Sequence, residues 1–414
     1  MTADGSDPRG GVAGLAPAVA AAVATAVALG ALGVVAPGSA AHAQERPGGE
    51  AAAHRLVYLA NTRANSVTAY DPVTASPVAT VQVGSYPQAV AVSPDGSQAY
   101  VVNNGSGTVS VLDTATGTVA ATIAVGRLPG PVAFSPDGAR AYVGHYVSPR
   151  AGGVDVIDTA TRTVTATVPV GSQPFGIAVT PDGGRVYVAN LIGGSVSVID
   201  AATDSLTGTI VDSRARMPAA LAVAPDGGRV YVANYGSGNL SVIDTASGAV
   251  SGVITVGAGP GGVSLSPDGA RAYVPSQSDD TVSVVDTGAG RVTATVPVGA
   301  TPIGVLADPA GGAVYVANSK DGTLSVLDPA TDTVSRTVPT GSSPYQLATA
   351  TVAPTVTGVR AGHGPDAGGP PRFEPDARGY AYVWKTDRAY AGSCRVFALG
   401  LTDGTVHTAL FDFD

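Results

Sequence analysis

Read for polarity alone, residues 55–352 form a succession of short runs in which apolar and polar residues alternate, punctuated by Pro, Asp, Gly and Asn. One stretch shows the pattern. Residues 173–179 (QPFGIAV) lead into Thr180-Pro181-Asp182-Gly183, then RVYVAN at 185–190, a glycine loop, SVSVID at 195–200 and SLTGTI at 205–210. Alternation at period two over so few residues predicts strands, and Pro-Asp-Gly predicts a tight turn between two of them. Four strands joined in this way make one antiparallel sheet. The first strand of each set reads GIAV, ALAV, GVSL and GVLA in successive copies, with small residues prominent. Such residues suit the most crowded position, whereas the Tyr and Ile of later strands fill wider gaps between sheets.

The pattern recurs. Aligned on one tyrosine, seven copies fall at Tyr58, Tyr100, Tyr142, Tyr187, Tyr231, Tyr273 and Tyr315, at intervals of 42, 42, 45, 44, 42 and 42 residues. A near-fixed period of this size with only strand signals inside predicts an all-β fold, a seven-bladed β-propeller of four-stranded blades. The register also predicts how the ring closes. The first copy opens on a second strand at 55–61 with no inner strand before it, and the seventh is followed by an inner strand at 344–351 with no outer strands after it. Pairing these segments in one blade leaves no open edge at the junction. Pro169, Pro297 and Pro339 fall on the outermost strands, where a missing N–H costs no ladder bond.

Tyr-Val-Ala-Asn, Val-Ser-Val-Ile-Asp-Thr and Ser-Pro-Asp-Gly together resemble the YVTN family of β-propeller repeats, across residues 55–352 and in all seven copies. That resemblance implies a secreted or surface-layer bacterial protein. The wider group is similar to lactonase-type propellers and to the propeller domains of some redox enzymes, so it leaves the chemistry open.

The flanks differ in composition. Residues 10–38 are uncharged and rich in Ala, Val and Leu, and they lead to Ala41-His42-Ala43. This predicts an export signal at 1–43, with an uncleaved membrane anchor as the other reading. Export places the chain outside the cytoplasm, secreted or at the cell surface, with no membrane span once the signal is removed. Residues 44–54 are a short linker, 353–378 a Pro/Gly-rich linker, and 379–414 a β-rich tail with a hairpin turn at Asp403-Gly404. The tail, with Trp384, Cys394 and His407, is similar to part of a small β-sandwich module found at the ends of secreted bacterial proteins. Cys394 has no partner in the chain, so any disulfide through it joins two chains.

Charge and inventory then narrow the function. A net charge of −9 argues against a nucleic-acid partner. Seven Asp close third strands (Asp71, Asp113, Asp158, Asp200, Asp244, Asp286, Asp328) and five more sit in Pro-Asp-Gly turns (Asp95, Asp137, Asp182, Asp226, Asp268). Their regular spacing reads as turn architecture, not as a metal site. Residues 55–352 contain no Glu or Cys, one His (His145) and one Lys (Lys320), and Gly-x-Ser-x-Gly is absent. Acid–base or zinc chemistry needs more than one His, so no catalytic residue, metal or cofactor is assigned. A non-catalytic binding or structural role is expected, with a lactonase-like hydrolase as the alternative.

The loops depart from the repeat where a ligand would bind. His145 stands where five copies have Asn and one has Ser276, and its loop, through Tyr146 to Arg150, is three residues longer. The fourth copy carries Asp212 to Met217, with Arg214 and Arg216, before the next inner strand. His145, Tyr146, Arg150, Arg214 and Arg216 are therefore the candidate rim site for an anionic or glycan ligand, with an envelope glycan or a protein as partner. Solvated loop decoration is the bland alternative.

Overall fold

The computed structural model describes residues 54–352, except 72, 73, 75, 341 and 342, and four strands of the tail. Every repeat folds into one antiparallel sheet, giving seven sheets of four strands. We number the blades 1 to 7 by the copy of the repeat tyrosine. Blade 4 illustrates the order: inner strand Pro174–Val179, second strand Arg185–Asn190, third strand Ser195–Asp200, outer strand Ser205–Ile210. Blade 1 takes its inner strand from Pro344–Val352, which lies antiparallel to His54–Asn61, with His54 opposite Val352 and Leu59 opposite Leu347. Both ends of the ring region thus build one blade, as the register predicts.

The taper of the ring is set by side-chain size. At the axis, a Cβ on Gly176 would lie 2.8 Å from the Ala220 Cα of the next blade, and one on Gly304 would strike the Tyr345 carbonyl. At these two positions neighbouring inner strands approach so closely, backbone to backbone, that a glycine is required. Farther out, the repeat tyrosines are buried at 0–4% exposure and fill the wedge between blades. Each of the seven apolar clusters spans two adjacent blades. The one across the closing seam joins Val57, Leu59 and Tyr70 to Tyr315, Ala317 and Leu324. Outer strands such as Thr163–Val170 alternate exposed and covered residues along most of their length, and Pro169 lies on this edge.

Turn acids do what their spacing predicts, and one more joins them. Asp113 accepts the Thr116 N–H at 2.8 Å and Asp182 the Gly184 N–H at 2.9 Å, with the same pattern in other copies. Asp308, in a Pro-Ala-Gly variant of the turn, accepts the Ala310 N–H at 3.0 Å. These turns lie on one rim, where arginines at the start of second strands reach forward: Arg140 to the Ala201 carbonyl, Arg185 to Thr245, Arg271 to Pro329. Blade 7 has Ala313 at that position, and across its junction Arg55 of blade 1 reaches back to Asp308 instead. His54 and Val352 lie on this same rim, because second strands start and inner strands end there.

In the tail, Arg372–Asp376 pairs with Gly379–Val383 and Ser393–Gly400 with Val406–Phe413. The second pair flanks the expected turn at Asp403-Gly404, and the first strand falls within the segment read as linker. The export signal, the linker at 44–53 and Trp384 lie outside the described residues.

Candidate binding rim

The opposite rim is built from two kinds of connection. One joins second and third strands within a blade; the other brings the chain from an outer strand to the next inner strand. Backbone bonds hold them together: Asn104 N–H to Tyr86 O at 3.0 Å, Leu191 to Gln173 at 2.9 Å and Tyr235 to Met217 at 2.9 Å. In every blade the residue before the proline that opens the inner strand has positive φ, from 47° at Leu128 to 67° at Gly259. Six of the seven are not glycine: Tyr86, Leu128, Gln173, Met217, Thr301 and Ser343. A side chain in this conformation costs about 1 kcal/mol relative to an unstrained one.

The last residue of each second strand anchors these connections. Asn103 donates to Thr108 Oγ1 at 3.1 Å and Ser110 Oγ at 2.9 Å, and Asn190 to Ser195 at 3.2 Å and Ser197 at 2.9 Å. Blade 3 replaces this cluster as a set. His145 takes the asparagine position, Gly153 the first hydroxyl position and Asp155 the second. A Cβ on Gly153 or Gly126 would fall inside the imidazole, so the ring fits only between two glycines. Nε2 of His145 lies 3.4 Å from Oδ1 of Asp155, and both residues are buried, at 6% and 4% exposure. The Asp155 carboxylate also accepts from Thr167 Oγ1 at 2.7 Å and from the Gly126 N–H at 2.7 Å, which ties blade 2 to blade 3.

Electrostatics follows from this geometry. Burial alone would push the imidazole down, but the adjacent Asp155 carboxylate and the Tyr146 backbone outweigh it and hold His145 above its usual range. Burial would raise Asp155, but His145, Thr167 and the Gly126 N–H outweigh it and hold the carboxyl below its usual range. The pair is therefore an ion pair through mildly acid conditions.

The structure changes how the sequence-derived site is arranged. His145 does not face solvent from a loop. The residues after it extend the strands, so Arg140–Ser148 pairs with Ala151–Asp158 through a turn at Pro149-Arg150. Tyr146 is half-buried and Arg150 is exposed at the hairpin tip. Arg214 folds back on Asp212, with Nε 2.9 Å from Oδ1, and Asp212 in turn accepts from Ser241 at 2.9 Å. Its charge is thus balanced within its own loop. Arg216 is exposed in the same connection, between blades 4 and 5, so blade 4 separates it from Arg150. Arg127, exposed in the connection from blade 2 to blade 3, is close to the hairpin, because its carbonyl accepts the Tyr146 N–H at 2.9 Å. Arg127, Arg150 and Arg216 make no ion pair with a carboxylate among the described residues. Asp155 could have been found from the sequence, since its repeat column otherwise holds only Thr or Ser. Among the described residues, no group of three or more His, Cys, Asp or Glu could hold a metal ion.

Residues 140–260 match the family model "Lactonase, 7-bladed beta-propeller". No curated protein matches the chain. Among solved structures, a chain of hydrazine synthase from Kuenenia stuttgartiensis is similar at 26% identity and TM-score 0.57, covering 63% of this chain and 89% of its own. The periplasmic gluconolactonase of Pseudomonas aeruginosa is similar at 22% identity and TM-score 0.62, over 72% of this chain and all of its own (100%). A functionally unknown protein from Desulfotomaculum acetoxidans is similar at 16% identity and TM-score 0.63, over 72% and 99%. The latter two likenesses are of fold alone.

Proposed function

We propose that the chain is a non-catalytic binding propeller, secreted or held at the cell surface, that takes an anionic ligand or partner on the rim of blades 3 to 5. One observation carries the reading. On a chain of net charge −9, exposed Arg127, Arg150 and Arg216 lie in the connections of blades 3 to 5, while the exposed carboxylates of the same rim, Asp279, Asp280 and Asp321, belong to blades 6 and 7. Fixed cations on a rigid ring raise the local concentration of an anion and orient it. His145 and Asp155 support this site from beneath and do not touch the ligand. YVTN-type repeats and an exported, envelope-associated life fit the same reading.

The test is binding of the protein to polygalacturonate and to isolated cell-envelope fractions, by sedimentation at physiological ionic strength. Replacing Arg127, Arg150 and Arg216 with Ala should weaken binding about tenfold or more, given the usual contribution of charge-assisted contacts. Binding to neither probe, or binding indifferent to all three substitutions, would exclude the site.

A lactonase-like hydrolase is the second reading, supported by the family-model match and the gluconolactonase likeness. It would use His145 as base, held by Asp155, yet a general base must come within hydrogen-bond reach of the attacking water, and this imidazole is closed inside the sheet. Turnover of glucono-δ-lactone that is lost in His145→Gln would favour the hydrolase.

A further inference from the structure

The mouth of the ring on this rim is lopsided, and the repeat makes this measurable. Every blade supplies two equivalent side chains there: the positive-φ residue before the inner-strand proline, and the residue after the second strand. In blades 2 to 5 these positions hold Tyr86, Leu128, Tyr146, Leu191, Met217 and Tyr235, with the amides Asn104 and Gln173 between them. In blades 6, 7 and 1 they hold Gly259, Gln277, Thr301, Ser319, Ser343 and Thr62. Large apolar and aromatic residues therefore form one continuous crescent, and small or polar ones complete the circle.

Four of these side chains are exposed, Tyr86 and Leu128 at 50% and Met217 and Tyr235 at 37%, while Tyr146 and Leu191 are half-buried. Charge follows the same division. Arg127, Arg150 and Arg216 belong to the crescent with no exposed carboxylate among them, whereas in blades 6, 7 and 1 the exposed Asp279, Asp280 and Asp321 outnumber Arg63 and Lys320. Positive φ is shared around the ring, since Thr301 and Ser343 adopt it too, but large side chains at that position are confined to the crescent. Tyr86, Leu128 and Met217 adopt φ of 58°, 47° and 56°, where blade 6 uses Gly259 at 67°. Glycine meets the backbone need, so the large side chains serve something other than the fold.

We infer that the crescent of blades 2 to 5 docks an acidic polypeptide segment that carries aromatic or aliphatic side chains. This rests on the binding reading above and names its ligand class. The arginines complement a carboxylate-bearing partner. Aliphatic Leu128, Leu191 and Met217 have little to offer a sugar hydroxyl, but they match apolar side chains, and exposed Tyr beside Arg is the composition of interface anchors.

Three polymers separate the outcomes: poly-glutamate, a random glutamate–tyrosine copolymer and polygalacturonate, each titrated against the full chain at physiological ionic strength. The copolymer should bind at least tenfold more tightly than poly-glutamate. In the triple variant Tyr86→Gly, Leu128→Gly, Met217→Gly that preference should vanish, while Tm stays level or rises because strain is relieved. Equal binding of both polypeptides, or a preference that survives in the triple variant, overturns the inference and leaves the anion-binding rim standing. Tighter binding of polygalacturonate also overturns it, by making the ligand a glycan. No binding to any of the three removes both.

Discussion

Arg55 of blade 1 donates to the carboxylate of Asp308 in blade 7, across the junction where the two ends of the ring meet. Elsewhere arginines two residues before the repeat tyrosine reach forward to a carbonyl of the next blade; Arg55 stands three before Tyr58, and its contact runs backward. The Arg55 side chain is 29% exposed and that of Asp308 10%, so solvent weakens but does not cancel the pair. Arg55→Ala should lower stability by about 1 kcal/mol in urea denaturation, and a double-mutant cycle with Asp308→Asn should show positive coupling. Strictly additive losses would mean that the two residues do not support each other.

Closure of the ring depends on residues 344–352. A chain ending at residue 342 would leave the second strand of blade 1 as an open edge and uncover the apolar seam of Val57, Leu59 and Tyr315. Such a truncation should lose its single cooperative thermal transition in calorimetry. Retention of the full transition would show that the ring holds without its last strand.

The His145–Asp155 pair makes stability depend on pH at both ends of a window. Since His145 is raised, its contribution is complete below the ordinary imidazole value of about 6.5 and fades as pH climbs through the folded value. Since Asp155 is lowered, its contribution is complete above the ordinary carboxylate value of about 4 and fades as pH falls through the folded value. Together they act fully between about pH 4 and 6.5. Asp155→Ala should therefore cost more at pH 5.5 than at pH 8.5, about 3 kcal/mol at the lower pH, because it strands a buried imidazolium. By contrast, the triple change His145→Asn, Gly153→Ser, Asp155→Ser restores the pattern of the other blades and should fold with a flat pH response. A single variant equally destabilised at both pH values would sink the ion-pair account.

Burial pushes the phenols of Tyr58, Tyr315 and Tyr345 up to about 12. Unfolded tyrosine ionises near 10, so the folded state is favoured below that value and loses ground as pH rises toward 12. Titration at 295 nm should show these phenols ionising only with global unfolding, as a steep step superimposed on the gradual titration of exposed tyrosines. A smooth curve with no step would contradict their burial.

How far the residues foretold this arrangement depends on whether the repeat spoke at the position. Blade number, strand order, closure and the turn acids all follow from period and register, because seven near-copies report the same constraint. Asp308 escaped because its turn reads Pro-Ala-Gly, with the acid two places earlier than in Pro-Asp-Gly, before the proline instead of after it. The hairpin beyond His145 escaped because an insertion reads as loop. Whether Tyr146 to Ser148 continue a strand depends on the pairing of Ser148 with Ala151, which local polarity does not encode. Arg214 looked available because nothing in the spacing shows that its side chain folds back on Asp212 two residues earlier. The lopsided mouth was present in the letters throughout, but it emerges only when the backbone reveals which two columns of the repeat meet there.

The adjacency of His54 and Val352 has a practical consequence. The chain therefore enters and leaves the ring region on one side, opposite the side that bears Tyr86. A tether grafted directly at His54 or at Val352 should leave the Tyr86 side facing incoming ligand.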